Sequence, residues 1–145
     1  MDDATVLAAI GNHLRNLTPP SGQTLKVVYD YPPESLGATP AVVLYPGSDS
    51  VSYGAANRTT ALTVSAVLYL PQVEYARNFA GLAVWRAWMR DSLITAVLLN
   101  STDGVAQASV TSTTVDGGTE YGDIPFMTVT ATMDIIGVEP ISASA

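Results

Sequence analysis

Apolar positions along this chain follow two periods, one of about three and a half residues and one of two, and the switches between them outline the elements. Over residues 4–17, Leu7, Ile10, Leu14 and Leu17 recur at three- and four-residue steps, which predicts an amphipathic helix. Asp2 and Asp3 suit its amino end and Pro19-Pro20 stops it, although Gly11 costs a helix interior about 1 kcal/mol relative to Ala. Leu25 to Tyr31 and Ala41 to Tyr45 read as short strands, followed by a polar, mobile loop over Gly47 to Arg58. Thr59 to Leu70 alternates strictly: Leu62, Val64, Ala66, Leu68 and Leu70 share one face, and Thr59, Thr63 and Ser65 the other.

Helical spacing returns from Val73 to Arg90, with Phe79, Leu82, Trp85, Met89 and Leu93 on one stripe and Arg77, Asn78 and Arg86 off it. Asp91-Ser92 is placed to interrupt this helix and cap a shorter one over Leu93 to Leu99, before a turn at Asn100 to Gly104. The remainder reads as a β-hairpin, Val105 to Val115 and Ile124 to Ile136, around a turn-rich segment from Asp116 to Asp123. Met127, Val129, Ala131, Met133 and Ile135 form its inward row. Thr128, Thr130, Thr132 and Asp134 form the opposite row, joined by Ser109, Thr111 and Thr113. Ser142 to Ala145 is expected to fray. This order predicts one α+β domain over residues 1–145, a mostly antiparallel sheet with helices packed on one face.

Between the first two strands lies Tyr29-Asp-Tyr-Pro-Pro-Glu-Ser-Leu-Gly-Ala-Thr-Pro-Ala-Val-Val-Leu-Tyr-Pro-Gly47. Each proline fixes its own φ and pushes its predecessor into extended backbone, so the crossing is stiff. It carries no residue equipped for chemistry.

Composition narrows the function. With 145 residues, 48% of them apolar and only 13% charged, the chain can bury a core and is not disordered. The absence of cysteine excludes disulfides and thiolate sites. A formal charge of −7, with Lys26 and five arginines scattered along the chain, disfavours nucleic-acid binding but suits a surface that DNA slides past. The apolar stretch Leu82 to Leu99 is broken by Arg86, Arg90 and Asp91, so no membrane span is expected. The opening Met-Asp-Asp lacks the basic and apolar regions of a secretory signal, which gives the expectation of an intracellular protein.

No catalytic constellation emerges. His13 is the single histidine and sits at the border of the first helix's stripe, where a structural role is the ordinary one. No Gly-x-Ser-x-Gly elbow accompanies a serine, and no phosphate loop is present. The carboxylate pairs Asp2-Asp3, Asp30 with Glu34, and Glu120 with Asp123 lie at a terminus, a proline crossing and a turn, where local hydrogen bonding explains them. Asn16-Leu-Thr18, Asn57-Arg-Thr59 and Asn100-Ser-Thr102 match the glycosylation tripeptide by chance on this reading. Trp85 and Trp88 could cage a ligand, but their helical spacing favours core or subunit contact. The expectation is no enzyme, no cofactor and no metal.

Taken in order, these elements resemble the tail terminator family of long-tailed bacteriophages, which cap the tail tube and join it to the head. The likeness covers nearly the full length. It rests on the amino-terminal helix, the Tyr29-Asp30…Pro32-Pro33…Pro40-Ala41-Val42-Val43 crossing, the polar loop, the alternating strand, the amphipathic helix, and Glu120 to Asp134, an aromatic-glycine turn before the last strand. Pro33, the long Gly47 to Arg58 loop and the boundary at Asp91 depart from that pattern, so the stopper and adaptor proteins of the same particles remain alternatives; a small ligand-binding module or enzyme is the more distant one. The resemblance implies a structural virion protein assembled in the host cytoplasm as a homohexameric ring. The ring would stack on the tail tube protein, end tube growth, dock a head-completion protein, and let DNA pass its lumen without specific binding. On this reading Tyr53 and Arg58 contact an adjacent ring, and Thr128, Thr130, Thr132 and Asp134 line the lumen or the subunit seam.

Overall fold

A computed structural model of the chain describes residues 2–75, 78–99 and 105–141. The element order is α1 (Asp3–Asn16), β1 (Val27–Tyr29), β2 (Ala41–Tyr53), β3 (Asn57–Pro71), α2 (Gln72–Tyr75), α3 (Phe79–Leu99), β4 (Val105–Tyr121) and β5 (Ile124–Pro140). The strands form one five-stranded sheet in the order β1-β2-β3-β5-β4. Only β1 and β2 run parallel; every other neighbouring pair is antiparallel. The α+β class with helices on one face of the sheet is as expected.

Alternation along the strands sorts the side chains into two layers. Leu62, Val64, Ala66, Leu68 and Leu70 of β3 and Val129, Ala131, Met133 and Ile135 of β5 face the helices. There they meet Val6, Leu7, Ile10 and Leu14 of α1 and Leu82, Trp85, Met89 and Leu93 of α3. Each residue of this stripe is at least 95% removed from solvent, and burying one such aliphatic side chain contributes about 1.5–3 kcal/mol.

Several expected boundaries move. The predicted loop at Gly47 to Arg58 is strand: β2 continues to Tyr53 and pairs residue by residue with β3, Asp49 to Leu62 through Tyr53 to Arg58. The last eight residues of β2 are exposed, so no alternating inward face exists to betray the strand in the sequence. The register shifts between Pro46 and Asp49, and there Gly47 lets β2 approach β3 closely. A Cβ at Gly47 would stand 2.8 Å from the Thr63 carbonyl oxygen, a backbone atom that cannot swing away. Gly47→Ala should therefore lower stability by about 1–3 kcal/mol, read as a reduced denaturation midpoint with an unchanged slope.

The helical region also differs. Gln72–Tyr75 is a separate turn of helix, and Asn78 starts α3 afresh, its Oδ1 accepting from the Gly81 amide at 2.9 Å. Phe79, placed on the apolar stripe by spacing, is 78% exposed instead, because it stands in the first turn, ahead of the core contacts made by Leu82 and Trp85. Asp91-Ser92 does not interrupt α3, which runs on to Leu99. At the hairpin, the strands extend through most of the turn-rich segment and join over Gly122 and Asp123, whose φ values of 56° and 69° suit a tight two-residue connection. The expected turn at Asn100 to Gly104 and the fraying tail at Ser142 to Ala145 lie outside the described residues.

The proline crossing now has a definite place. Two parallel neighbours need a crossover, and residues 30–40 make it across the sheet face opposite the helices. Leu36 packs there with Tyr29, Tyr45, Val67 and Tyr121 around buried Val43, Tyr69 and Phe126, a second small core. The Thr39-Pro40 bond within the crossing is cis. At its start Asp30 reaches back to α1, where Arg15 donates to its Oδ1 at 2.7 Å. Gly11 has a use here, since a Cβ would stand 1.9 Å from that same Oδ1.

Candidate functional site

Beyond the crossing, the sheet face opposite the helices carries small hydroxyls, and strand register states which ones. Tyr45, Ser65, Thr132 and Ser112 form one row across the sheet, and Thr63, Asp134 and Ser109 another. Thr130 pairs with Val67 and Thr114 in the row nearer the crossing. Thr130 and Thr132 are half-buried and Asp134 is exposed. No lysine or arginine stands in these rows, so a phosphate backbone would find no charge-assisted donor there.

Two members of the expected surface belong elsewhere. Thr128 is only 2% exposed; it pairs with Tyr69 beneath the aromatic cluster, and its Oγ1 lies 3.1 Å from that of Thr119. It therefore cannot line an open surface. Thr113 faces the helices, because the register shift between Val110 and Ser112 adds a residue and reverses the alternation of β4. Arg86 of α3 holds it there, Nε donating to Thr113 Oγ1 at 3.1 Å and Nη2 to its carbonyl at 2.8 Å. Ser112 and Thr114 take the outward positions instead. A single-residue bulge leaves no mark in the hydrophobic pattern of a Thr/Ser-rich strand, so the sequence alone could not have placed them.

The second surface is an arm. The outer ends of β2, β3 and β5 run past the helix layer as a three-stranded extension, Tyr53 against Arg58 and Arg58 against Glu139. Tyr53 is 72% exposed, and Val51 and Val138 stand out on opposite faces of the extension. Arg58 donates from Nη2 to Glu139 Oε2 at 2.5 Å, an exposed pair that fixes the geometry of the tip more than it stabilises the fold. So the sheet brings Thr130, Thr132 and Asp134 onto one face, and holds Tyr53 and Arg58 on a rigid strand end.

Among the described residues, the histidine and several of the carboxylates singled out in the sequence have separate local settings. His13 is half-buried on α1, beside Ala9, Asn12 and Asn16. Asp30 is committed to Arg15, Asp2 accepts from the Thr5 hydroxyl at 3.1 Å, and Asp123 occupies the hairpin turn. Among the described residues no three of His, Asp and Glu cluster as a metal would require. Trp85 is fully buried, its ring edge-on to Trp88 at 5.5 Å, and its Nε1 donates to Tyr75 Oη at 3.3 Å. The two rings thus form no cage open to a ligand. Among the described residues no helix is long and apolar enough to cross a membrane.

The aromatic cluster under the crossing has its own electrostatics. Burial, and then the 2.7 Å hydroxyl contact with Tyr45, hold the Tyr69 phenol well above its ordinary value near 10. Tyr121 is raised as well, by burial first and then by Tyr45 and Tyr29, and its hydroxyl donates to the Pro33 carbonyl. A phenol that ionises later in the folded state contributes stability in full below pH ~10; that contribution is lost as pH rises from there toward the folded pKa. Denaturant midpoints measured from pH 9 upward should therefore fall above pH ~10, and Tyr69→Phe should make that fall shallower.

No protein-family model matches this chain, and no curated protein matches it.

Proposed function

We propose that the protein is a ring-forming structural component of a long-tailed phage, of the tail terminator kind. It caps the tail tube and presents a docking face to the head-completion protein. The observation that carries this reading is the arm: an ordered three-stranded extension, exposed on both faces, that displays Tyr53, Val51 and Val138. A sheet end that buries nothing of its own does little for a monomer, whereas in an assembly it is a ready contact for a neighbouring ring. Tyr and Arg at such a tip are residue types that dominate interface energies.

Two further features support the reading. The cation-free hydroxyl rows with exposed Asp134 suit a lumen through which DNA moves without holding. The net charge of −7 adds repulsion of the same sign. In this arrangement function is geometric: the ring positions arms toward one neighbour and hydroxyls toward the hole. Native mass spectrometry with electron microscopy of the purified chain, alone and with tail tube protein, tests it. A sixfold ring with an open centre is the expected result, and a chain that stays monomeric even on tubes would refute it.

A further inference from the structure

Besides its two outer strands, the sheet has a third free edge. β1 covers β2 only over Ala41–Val43, so beyond that point the side of β2 turned away from β3 has no strand beside it among the described residues. The three edges are not equally fit to accept a partner. β1 is three residues long. β4 is interrupted by register shifts between Val105 and Gln107, Val110 and Ser112, and Asp116 and Thr119, and such bulges turn an edge away from pairing. β2 has its shift between Pro46 and Asp49 and then runs unbroken to Tyr53, exposed throughout and with no proline or lysine.

Hydrogen bonds at the arm tip fix which backbone groups face this edge. The Gly54 N–H donates to the Asn57 carbonyl at 2.7 Å, which makes these two a hydrogen-bonded pair of the β2–β3 ladder. Such pairs alternate along an antiparallel ladder, so Ser52 with Thr59 and Ser50 with Ala61 are hydrogen-bonded pairs too. Asp49, Val51 and Tyr53 fall between them and turn their N–H and C=O groups outward. The next ladder agrees. The Ile141 N–H donates to the Ala56 carbonyl at 2.9 Å, and by the same alternation Arg58 and Thr60 spend their backbone groups on β5, leaving none for Tyr53 and Val51.

Side chains along this run give the edge a character. Val51 and Tyr53 stand exposed on one face of the arm, and Ser50 and Ser52 lie on the other. At the inner end of the run Asp49 shares a hollow with Asp134, and no lysine or arginine lines it. Neither carboxylate is in an ion pair among the described residues.

We infer that this edge takes a strand from a different polypeptide. The strand is an extended segment that bonds to the backbone of Asp49, Val51 and Tyr53, sets apolar side chains beside Val51 and Tyr53, and brings a lysine or arginine to Asp49. Backbone chemistry restricts the occupant to an extended peptide, and charge restricts which one. Two carboxylates without a cation select a basic segment over another copy of a chain that carries −7. That the strand belongs to a head-completion protein rests on the tail terminator reading; the pairing edge itself does not.

NMR titration of the isotope-labelled full chain with the capped peptide Lys-Thr-Val-Thr-Val-Thr-Lys reads the edge, and the symmetric peptide fits either strand direction. The Val51 and Tyr53 amides should shift and gain protection from exchange, more than the Ser50 and Ser52 amides already bonded to β3. Val51→Pro removes an outward N–H, so it should weaken peptide binding by about tenfold or more while the thermal midpoint stays near that of the wild type. Val51→Thr keeps the N–H and should bind within about threefold of the wild type. The same peptide with Glu for Lys should bind about tenfold more weakly. Absence of binding, shifts confined to other residues, or equal binding by Val51→Pro would each overturn the inference. A wild type that dimerises through this edge, and less so as Val51→Pro, would overturn the choice of occupant. Peptide binding by a chain that never forms a ring would support the edge and count against the tail terminator reading; a ring that ignores the peptide would do the reverse.

Discussion

Trp85→Ala should be the most destabilising single substitution, lowering stability by about 3–5 kcal/mol. Trp85 is fully buried at the centre of the helix–sheet core, packed with side chains of both helices and the sheet. Truncation leaves a cavity that the stiff sheet on one side cannot fill, and removes the Nε1 donor from the chain that runs through Tyr75 Oη to Gln23. Domains of this size hold about 5–15 kcal/mol in total, so the loss is a large fraction of it. The thermal midpoint should drop by roughly 10 °C or more. Trp88→Phe is the control. Trp88 is only half-buried, and the change removes one 2.9 Å bond from its Nε1 to the Thr18 carbonyl, about 1 kcal/mol. Comparable losses from both substitutions would mean that the core is not centred on Trp85.

The second large effect is functional and leaves the helix-facing core in place. Deleting residues 49–56 removes the outer half of β2 and the tip of the arm, all of it exposed. Asp49 pairs with Leu62, so joining Ser48 to Asn57 draws residues 57–61 off β5 to close a new turn, while the helix-facing core from Leu62 onward keeps its contacts. The variant should still fold, yet fail to join tails to heads. Tyr53→Ala should reproduce part of this defect, since an exposed tyrosine that anchors an interface contributes about 2 kcal/mol or more. Full joining by the deletion variant would show that the arm docks nothing.

What the sequence revealed follows from which residues are half-buried. The strands at Leu62–Leu70 and Met127–Ile135 were legible because one face meets the helices and the other does not, which writes a period of two into the side chains. The stripe Leu82, Trp85, Met89 and Leu93 was legible for the same reason at helical period. The arm was not: with both faces in solvent, its Ser, Asp, Gly and Asn residues spell a loop although they hold strand geometry. Nor was the second core, because Leu36, Tyr45, Tyr69 and Tyr121 come from four separate segments and meet only once the proline crossing folds over the sheet. That crossing covers the sheet of its own chain and takes Thr128 out of the hydroxyl surface. Among the proposed interface residues, Tyr53, Arg58, Thr130, Thr132 and Asp134 stay accessible in whole or part.

On the proposed reading, the lumen surface and the arm fall on separate parts of one small domain. The hydroxyl rows lie on the sheet face opposite the helices, and the arm lies at one end of β2, β3 and β5. This separation lets each be altered without the other. On the proposed tail terminator reading, electron microscopy of phage particles grown without this protein tests the central claim most directly. Tails of uncontrolled length, unattached to filled heads, are the predicted result; tails of normal length joined to heads would contradict the account.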